Sequence, residues 1–408
     1  MTRYLLEGVR VIDLTRVWSG PLATRTLADL GAEVIKVEAP NARPSPAPLS
    51  SQHSSDQPTP PMRMQGTFNK LNRNKLSVVL DLKRLEGVEV FLRLVSVSDV
   101  VIENYSASVM GNLGLSYERL CEVNPAIIMV SMPGFGTPGP YANYPALGPA
   151  IEPMTGITSL MGYQGGPPYV TSVGYPDPIG GIQAVVSVMT ALWNRSRTGK
   201  GMRVDLSQVE ATTALLGEFF VAFQLTGRLP QRMGNRHPYF APQGCYPCRG
   251  DDKWVTPTVR SDAEWKGLCQ AMGRPELASD PRLQSAEGRQ RHHDEIDSII
   301  AGWTGNLMHT EAMQLLQEQG VPSGAVLNAP ALLADPNLNS RGFFLPITEH
   351  EAGTFSYPGL PITVDGSRPD RRQPAPLFGQ HNHHVLCGLL GMSATELSDL
   401  ESRGVVGG

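Results

Sequence analysis

A regular alternation of short apolar segments and helical segments runs through the first third of the chain and constrains the fold more than any other feature. The apolar segments are rich in Val and Ile, which is typical of buried strands, and helix-forming stretches of about ten residues separate them. We predict strands at Val9–Leu14, Glu33–Glu38, Ser77–Leu82, Asp99–Glu103 and Ile127–Met132, with helices at Pro21–Leu30 and Leu85–Val95. Elements in this order form right-handed crossovers, so the pattern predicts an α/β fold with a doubly wound, Rossmann-like parallel sheet.

The pattern changes after the middle of the chain, which indicates a second domain. Before the change, the predicted elements are long helices at Pro178–Arg195 and Ser207–Leu225 and a strand at Met202–Leu206. After it, they are a strand at Trp254–Val259 and helices at Asp262–Met272, 290–303, 309–319 and 394–402. We therefore predict a large domain built from 1–215 and 340–408, and a smaller α+β domain at 230–330.

Two stretches rich in glycine and proline interrupt the pattern. Residues 40–61 hold seven prolines and are predicted to form an extended arm. Residues 133–181 show little periodicity, and irregular stretches of this length inside a compact domain are usually functional. Within them, Gly134-Phe-Gly-Thr-Pro-Gly-Pro140 follows a predicted strand as a dinucleotide fingerprint would, but its prolines would break the helix required there. The segment instead predicts a turn that exposes backbone at the carboxyl edge of the sheet, where α/β proteins bind ligands.

Charge and composition exclude several classes of protein. The net charge of −4 argues against a general nucleic-acid binder, which carries an excess of basic residues. No apolar run approaches the length of about 18 residues that a membrane span needs, and the N-terminal segment does not have the apolar core of a signal peptide. The five cysteines are scattered, which predicts no disulfide framework. We therefore expect a cytoplasmic protein that binds neither nucleic acid nor membrane.

Two short motifs suggest metal ligands, but neither is complete. Cys245-Tyr-Pro-Cys248 has no second Cys pair to complete a zinc site, and it does not follow the strand–helix pattern of a redox motif. His381-Asn-His383-His384 has no acidic or Cys cluster near it in the sequence and is predicted to be a solvated turn. We therefore predict that the protein holds no metal.

Asp177 stands in a local sequence that allows a structural and a chemical interpretation. It lies in Gly174-Tyr-Pro-Asp-Pro-Ile-Gly-Gly181, directly before a predicted long helix. An aspartate followed by proline is a good helix N-cap. A carboxylate at a helix N-terminus is also favoured as an anion, and such an anion can act as a nucleophile. Two interpretations likewise fit the basic residues Lys70, Arg73 and Lys75. They are either solvent-exposed charges or contacts with a polyphosphate. The local sequence leaves these alternatives open.

Seven segments spread over nearly the whole chain share the pattern of one known family. They are Gly8–Pro21 (GVRVIDLTRVWSGP), Leu27–Glu38 (LADLGAEVIKVE), Leu71–Lys75 (LNRNK), Asp99–Asn104 (DVVIEN), Gly234–Pro238 (GNRHP), Asp280–Leu283 (DPRL) and Gly320–Gly324 (GVPSG). In this order they resemble the class III CoA-transferase family, which includes formyl-CoA transferase, carnitine CoA-transferase, bile-acid CoA-transferase and α-methylacyl-CoA racemase.

The resemblance implies that Asp177 is the catalytic nucleophile of a CoA-transferase. The reaction would pass through an aspartyl–acyl anhydride and an aspartyl-CoA thioester before the acceptor acid receives CoA. CoA and acyl-CoA are then substrates, and no permanently bound cofactor is expected. The CoA contacts of the family correspond to Val17, Trp18, Lys75, Asn104 and Tyr105 in this chain. Arg73 and Arg43 are candidates for contacts with the CoA phosphates, which this chain would make from positions other than those its relatives use.

Several positions depart from the patterns of particular branches of the family. Trp18 stands where formyl-CoA transferase has Gln, Asn112 where it has an Arg that contacts CoA, and Gly148 where it has an active-site Glu. These differences argue against formyl and oxalyl groups as substrates. Leu147 stands near the position of the histidine that the racemase branch uses as its second base. Because racemisation needs two bases, Leu147 favours transfer over racemisation.

The resemblance also implies an interlocked dimer, formed by two copies of this chain or by this chain and a paralogous subunit. The substrates would be an acyl-CoA, with succinyl-CoA as the candidate donor, and a carboxylic acid. Trp18, Met154, Met161 and Tyr169 would form an apolar pocket for a hydrophobic, aromatic or substituted succinate acceptor, unless these residues belong to the core. The alternatives are an acyl-CoA racemase that uses Asp177 with another base, and a non-enzymatic partner of an active paralogue.

Overall fold

The computed structural model describes residues 4–40, 66–350 and 352–407. Arg43 and nearly all of the predicted proline-rich arm lie outside the described residues. Contacts within the chain divide it into two units, of which the first is Met1–Thr158, Val170–Leu225 and Pro336–Gly408. The second unit is Ser159–Tyr169 and Thr226–Asp335. Residues 159–169, which the sequence-based division places in the large domain, therefore belong to the second unit.

The first unit contains a parallel sheet of six strands. The strands are β1 (Arg10–Asp13), β2 (Glu33–Glu38), β3 (Lys75–Val79), β4 (Val100–Glu103), β5 (Ile128–Ser131) and β6 (Met202–Asp205). Their order across the sheet is β3-β2-β1-β4-β5-β6. The chain thus builds one half of the sheet outward from β1 and the other half outward from β4, which confirms the predicted doubly wound arrangement. Loops that follow β1 and β4 diverge, and the crevice between them is where such folds bind ligands.

The helices of the N-terminal part of the chain connect these strands and continue beyond β6. They are α1 (Ser19–Asp29), α2 (Gly66–Asn72), α3 (Leu85–Ser96), α4 (Val109–Asn112), α5 (Tyr117–Val123), α6 (Gly148–Ile151), α7 (Ile157–Leu160), α8 (Pro176–Thr198), α9 (Gln208–Thr213) and α10 (Gly217–Thr226). Short 3₁₀ turns occupy Glu152–Thr155 and Ala214–Leu216. The predicted single helix at 207–225 is therefore broken into α9, a 3₁₀ turn and α10.

The second unit has its own three-stranded antiparallel sheet and a separate apolar core around Trp265. Its strands are β7 (Tyr246–Pro247), β8 (Trp254–Pro257) and β9 (Ser323–Ala325). Its helices are α11 (Asp262–Ala271), α12 (Ala286–Arg291), α13 (His293–Thr304), α14 (His309–Glu318) and α15 (Ala329–Leu333), with a 3₁₀ turn at Pro275–Ser279. The two cysteines of Cys245–Cys248 are free thiols, and burial raises the pKa of both.

The chain then returns to the first unit. The returning elements are α16 (Pro336–Ser340), the antiparallel pair β10 (Phe344–Glu349) and β11 (Gly353–Pro358), a π-helical turn at His383–Leu389, and α17 (Ala394–Ser402). The prediction of a solvated turn at 381–384 is wrong in part, because the His381 imidazole is half-buried and its Nδ1 accepts a hydrogen bond from the Ser77 N–H at 3.1 Å.

Both faces of the parallel sheet are buried, because alternate strand residues point to opposite sides. Ile12 and its neighbours on one face pack with α3, α17 and the π-helical turn. Val11 and its neighbours on the other face pack with α1 and α8. Strands buried on both faces are expected to be almost continuously apolar, as the Val- and Ile-rich segments of this sequence are. The burial fixes the sheet, and with it the positions of the loops at its carboxyl edge.

Candidate active site

A pocket with about 610 Å³ of empty space, part of it open to solvent, lies at the carboxyl edge of the parallel sheet. Its lining includes residues that directly follow four strands: Arg16 and Val17 after β1, Asn104–Ser106 after β4, Pro133 and Gly134 after β5, and Gln208 after β6. The loops after β1 and β4 flank the point where the strand order reverses. The pocket therefore occupies the position where doubly wound sheets bind ligands.

Asp177 lines this pocket from the first turn of α8. The residue before α8 is Tyr175, and no side chain caps the helix, so the interpretation of Asp177 as an N-cap is wrong. Burial raises the pKa of the Asp177 carboxyl to about 6, although a hydrogen bond from the Ser19 backbone N–H works in the opposite direction. Burial thus outweighs the helix dipole that was expected to favour the anion. Asp177 is still mostly anionic at pH 7, because this pH lies above its pKa.

Two consecutive glycines of α8 allow α1 to approach Asp177. A Cβ atom at Gly181 would lie 2.7 Å from the Ser19 carbonyl oxygen, and one at Gly180 would lie 3.2 Å from Ser19 Oγ. Larger residues at these positions would push the two helices apart. The glycines therefore explain how the N-terminus of α1 comes close enough for the Ser19 N–H to bind the Asp177 carboxylate.

Gly148, at the start of α6, leaves room for the carboxylate on its other side. A Cβ atom at Gly148 would lie only 2.2 Å from Asp177 Oδ2. Formyl-CoA transferase has a glutamate at the position of Gly148. In this structure a side chain at that position would collide with the Asp177 carboxylate. The neighbouring Leu147 lines the same pocket and is 61% exposed. An alkyl side chain cannot accept a proton, so Leu147 supplies no second base next to Asp177.

The loop after β1 adopts a strained conformation that a side chain of the neighbouring strand end holds in place. Val17 has a φ of 69°, which is a genuine outlier for a β-branched residue. The Asn104 amide donates to the Arg16 carbonyl oxygen and accepts from the Arg16 N–H, each at 2.8 Å. Asn104 thus pairs with the backbone directly before Val17. Tyr105 follows Asn104 into the pocket lining, and burial raises the pKa of its hydroxyl to about 12, so the phenol stays protonated at neutral pH.

A buried polar network around Asp13, at the end of β1, also holds the loop that follows this strand. Asp13 Oδ1 accepts hydrogen bonds from the Thr15 N–H at 2.8 Å and the Thr15 hydroxyl at 2.6 Å. Asp13 Oδ2 accepts from Lys75 Nζ and Thr24 Oγ1, both at 2.9 Å. Burial alone would raise the pKa of Asp13, but the charges of Lys36 and Lys75 outweigh it and lower this pKa to about 2. Burial lowers the pKa of Lys75 to about 8, so the pair is charged at neutral pH.

Several residues that the resemblance assigned to substrates lie away from the pocket. Lys75 is fully buried against Asp13, and Arg73 is fully buried in a two-point ion pair with Asp29, at 2.7 and 3.1 Å. In this structure neither cation is available to a phosphate, contrary to the expectation. The half-buried Trp18 ring does not line the pocket either. The Lys70 ammonium lies 5.5 Å above its centre.

Three of the residues suggested for an apolar acceptor pocket are exposed. Met154, Met161 and Tyr169 are 48%, 40% and 51% exposed, so the alternative that these three form part of the core is wrong. Val17, Asn104 and Tyr105 line the pocket together with Asp177. The contribution of the Ser19 N–H was missed, although a Ser-Gly-Pro sequence directly after a strand and a tight turn is a signal for an exposed helix N-terminus.

In the part of the chain that the structure describes, no helix combines the length and apolarity needed to cross a membrane. Among the same residues, no group of three His, Cys, Asp or Glu side chains is arranged to hold a metal ion.

Comparison with known proteins shows which family this chain is similar to. A family model described as CoA-transferase family III matches residues 6–382. The chain is 33% identical to the succinyl-CoA–D-citramalate CoA-transferase of Chloroflexus aurantiacus over 404 residues, which cover 98% of both chains. It is 32% identical to the succinate–glutarate CoA-transferase of Agrobacterium fabrum, over 94% of this chain and 95% of the relative. A crystal structure of a CAIB/BAIF family protein from Brucella suis superimposes with a TM-score of 0.82 at 28% identity, over 95% of this chain and all of that one.

Proposed function

Since this chain belongs to CoA-transferase family III, we propose that it moves CoA between two carboxylic acids through covalent intermediates on Asp177. The observation that carries this proposal is the placement of the Asp177 carboxylate. It lies in the pocket at the reversal of the strand order, half-buried and mostly ionised at pH 7, and it is bound by the Ser19 N–H. A carboxylate that is both anionic and partly desolvated is a better nucleophile than one in water.

The reaction begins when an Asp177 carboxylate oxygen attacks the carbonyl carbon of the acyl-CoA. The C–S bond breaks, CoA leaves as the thiolate, and a mixed aspartyl–acyl anhydride remains. The thiolate then attacks the aspartyl carbonyl carbon, so that the donor acid leaves as a carboxylate and an aspartyl-CoA thioester forms. The acceptor carboxylate enters and the two steps run in reverse, which releases the new acyl-CoA and restores Asp177. Each intermediate stays activated, so the transfer needs no ATP and no net proton.

The Ser19 N–H has a defined part in this sequence. It binds the Asp177 carboxylate in the free enzyme. When the thiolate attacks the aspartyl carbonyl, negative charge develops on an Asp177 oxygen. A backbone N–H that is already positioned at this carboxylate stabilises such a charge without reorganisation. We assign to Ser19 the role of an oxyanion donor in the two steps that form and cleave the aspartyl thioester.

For CoA we propose a position along the loops after β1 and β4. Val17, Asn104 and Tyr105 line the pocket and would contact the pantetheine arm, and Trp18 would contact it at the mouth. Lys75 and Arg73 are buried in ion pairs, so they would act on CoA indirectly, by holding the segments that precede these contacts.

The substrates we propose are succinyl-CoA as donor and a dicarboxylic acid, such as a substituted succinate, as acceptor. Both relatives described above are named for transfers that involve succinyl-CoA or succinate and a second dicarboxylic acid. Arg16 lines the pocket together with Asp177. Guanidinium groups bind carboxylates by charge-assisted hydrogen bonds, which would favour an acyl group with a second carboxylate.

We propose that the chain works as an interlocked dimer. In α8, the side chains of Ile182, Val186, Met189 and Trp193 follow one another at helical spacing and are 50%, 53%, 40% and 68% exposed. An apolar stripe of this kind supports an interface with a second subunit. Size-exclusion chromatography with light scattering on the chain expressed alone distinguishes a homodimer from a heteromer with a paralogous subunit. A dimer mass indicates two copies, whereas a monomer that assembles only with another subunit indicates the heteromer.

The test of the proposed function is to trap the covalent intermediate. The protein is incubated with succinyl-CoA and hydroxylamine, and the modified peptides are mapped by mass spectrometry. We expect a hydroxamate at Asp177, and none in Asp177→Asn. Absence of this hydroxamate with succinyl-, acetyl- and other acyl-CoAs would contradict the mechanism. Exchange of the α-hydrogen of an acyl-CoA in deuterated water, without CoA transfer, would instead support the racemase alternative.

A further inference from the structure

A second carboxylate, that of Glu152, lies fully buried behind the segment that carries the nucleophile. Glu152 begins the 3₁₀ turn that follows α6, and it has no exposed surface. It is absent from the pocket lining. Among the described residues, no Lys, Arg or His lies within ion-pairing distance of it. A buried carboxylate without a counterion is costly, which suggests that its hydrogen bonds serve a purpose.

Among the described residues, the hydrogen bonds that the Glu152 side chain accepts come from the segment that leads to Asp177. Glu152 Oε1 accepts from the Thr171 N–H at 2.7 Å. Glu152 Oε2 accepts from the Thr171 hydroxyl at 2.6 Å and from the Tyr175 N–H at 3.2 Å. Tyr175 precedes the first residue of α8, and Asp177 is the second residue of that helix. One carboxylate therefore ties both ends of the 171–175 segment to the turn after α6.

The tied segment is in contact with the nucleophile. The Asp177 N–H donates to the Gly174 carbonyl oxygen at 3.1 Å. A Cβ atom at Gly174 would lie 3.7 Å from Asp177 Oδ2 and 3.8 Å from the Gly148 backbone. Gly148, Gly174 and the Asp177 carboxylate thus pack against one another. Glu152 lies four residues after Gly148, and it binds Tyr175, which directly follows Gly174. Its hydrogen bonds therefore hold the Gly148 backbone and the Gly174 backbone against each other.

We propose that Glu152 is a positioning residue of the transferase reaction, which places the Asp177 carboxylate by clamping the 171–175 segment against α6. The inference rests on the proposed function, because it assigns Glu152 a role in the formation of the Asp177 intermediate. Displacement of a reacting group by about 1 Å can lower a rate by about 100-fold. A clamp two residues from the nucleophile therefore acts on the rate of acylation more than on the binding of CoA.

The test variant is Glu152→Gln, which keeps the size of the side chain. A glutamine has one acceptor oxygen and one amide nitrogen, so either the Thr171 N–H or the Tyr175 N–H would face a donor instead of an acceptor. We expect the rate of Asp177 hydroxamate formation from succinyl-CoA to fall about 10- to 100-fold. We expect the dissociation constant of CoA, measured by calorimetry, to change less than about threefold, because the CoA contacts lie on other loops.

Two further variants separate positioning from stability. Glu349→Gln alters another buried glutamate of the same unit, which accepts from the Ala375 N–H and does not line the pocket. It should change the thermal midpoint but not the rate of hydroxamate formation. Thr171→Val removes one donor and keeps both backbone N–H groups, and should slow acylation by less than Glu152→Gln does. Thr171→Ser restores the hydroxyl and should restore the rate, and this pair remains informative if Glu152→Gln does not fold.

The outcomes distinguish the inference from the function on which it rests. If Glu152→Gln acylates Asp177 as fast as the wild type, or Thr171→Val and Thr171→Ser behave alike, Glu152 is not a positioning residue. If Glu152→Gln loses acylation and CoA binding in the same proportion, its role is structural only and the inference is wrong. If the wild type itself forms no hydroxamate at Asp177, the proposed mechanism fails, and the role of Glu152 in it fails with it.

Discussion

The variant Gly148→Ala tests whether the observed placement of the Asp177 carboxylate matters for catalysis. The added Cβ atom would lie 2.2 Å from Asp177 Oδ2, whereas ordinary contacts begin near 3.4 Å. The carboxylate must therefore move by about 1 Å. The backbone can accept the change, because Gly148 begins α6, is not in the left-handed region, and alanine is a better helix former than glycine. The perturbation thus falls on the nucleophile and not on the fold.

The size of the effect follows from the contact that the movement removes. The Ser19 N–H binds the Asp177 carboxylate, and a hydrogen bond to a charged group contributes about 1.5–3 kcal/mol. Loss of this contact in the step that forms the aspartyl-CoA thioester corresponds to a reduction of about 10- to 100-fold in the rate of Asp177 hydroxamate formation. We expect the thermal midpoint to stay within about 3 °C of the wild type, because no packed atom is removed.

The assay is the single-turnover formation of the Asp177 hydroxamate from succinyl-CoA, with the affinity for CoA measured in parallel. The matched control is Gly139→Ala, in the same glycine- and proline-rich stretch, where a Cβ atom would meet no atom within 4 Å. This control should acylate at the wild-type rate. If Gly148→Ala acylates within twofold of the wild type while it remains folded, the position of the carboxylate against α6 and Ser19 does not govern the chemistry.

Four further predictions rest on the pKa shifts and the buried contacts. Because the pKa of Asp177 is raised to about 6, acylation should fall about tenfold per pH unit below pH 6 and level off above pH 7, and a pH profile with a break near 4 would contradict this. A raised carboxyl pKa means that the folded protein holds its proton more tightly than the unfolded chain between about pH 4 and 6, so stability is lost as the pH rises through that range. Asp177→Asn should therefore abolish transfer yet raise the free energy of unfolding at pH 7 by about 1–3 kcal/mol in urea titrations. Lys75→Met leaves the buried Asp13 carboxylate without its closest cation and should lower the free energy of unfolding by about 3 kcal/mol, and a variant of unchanged stability that loses only CoA affinity would show a direct contact instead. Asn104→Ala removes both bonds to the Arg16 backbone and should weaken CoA binding about tenfold in calorimetry, with little change in the thermal midpoint.

Local pattern predicted the secondary structure near the site well. The strand Glu33–Glu38 has the predicted bounds, and α8 begins within two residues of its predicted start. Proline at the first position of a helix and glycine after its last residue are local signals, and α8 has both, with Pro176 at its start and Gly199 in the left-handed region at its end. The order of strands and helices then predicted the doubly wound sheet and the edge at which ligands bind.

The roles of charged residues were not predictable in the same way. Lys75 binds Asp13, which is 62 residues away in the sequence, and Arg73 binds Asp29, 44 residues away. The resemblance placed these cations near CoA, but their burial depends on how β1, β3 and α1 come together. The same holds for Glu152, whose partners lie 19 and 23 residues further along the chain. The periodic pattern of apolar residues spans only a few neighbours in the sequence, so it cannot predict a pairing over such distances.

The sequence by itself determined the six strands of the parallel sheet, the helices α1 and α3, and the helix α8 on whose first turn Asp177 stands, because hydrophobic period and turn chemistry act over a few residues. Only the tertiary structure decided whether Asp177 caps its helix or faces a pocket. That decision depends on Gly180 and Gly181, which admit the N-terminus of α1, and on Gly148, which leaves room for the carboxylate. An active site of this kind joins the ends of four strands that are distant in sequence, and their meeting is a property of the packed sheet.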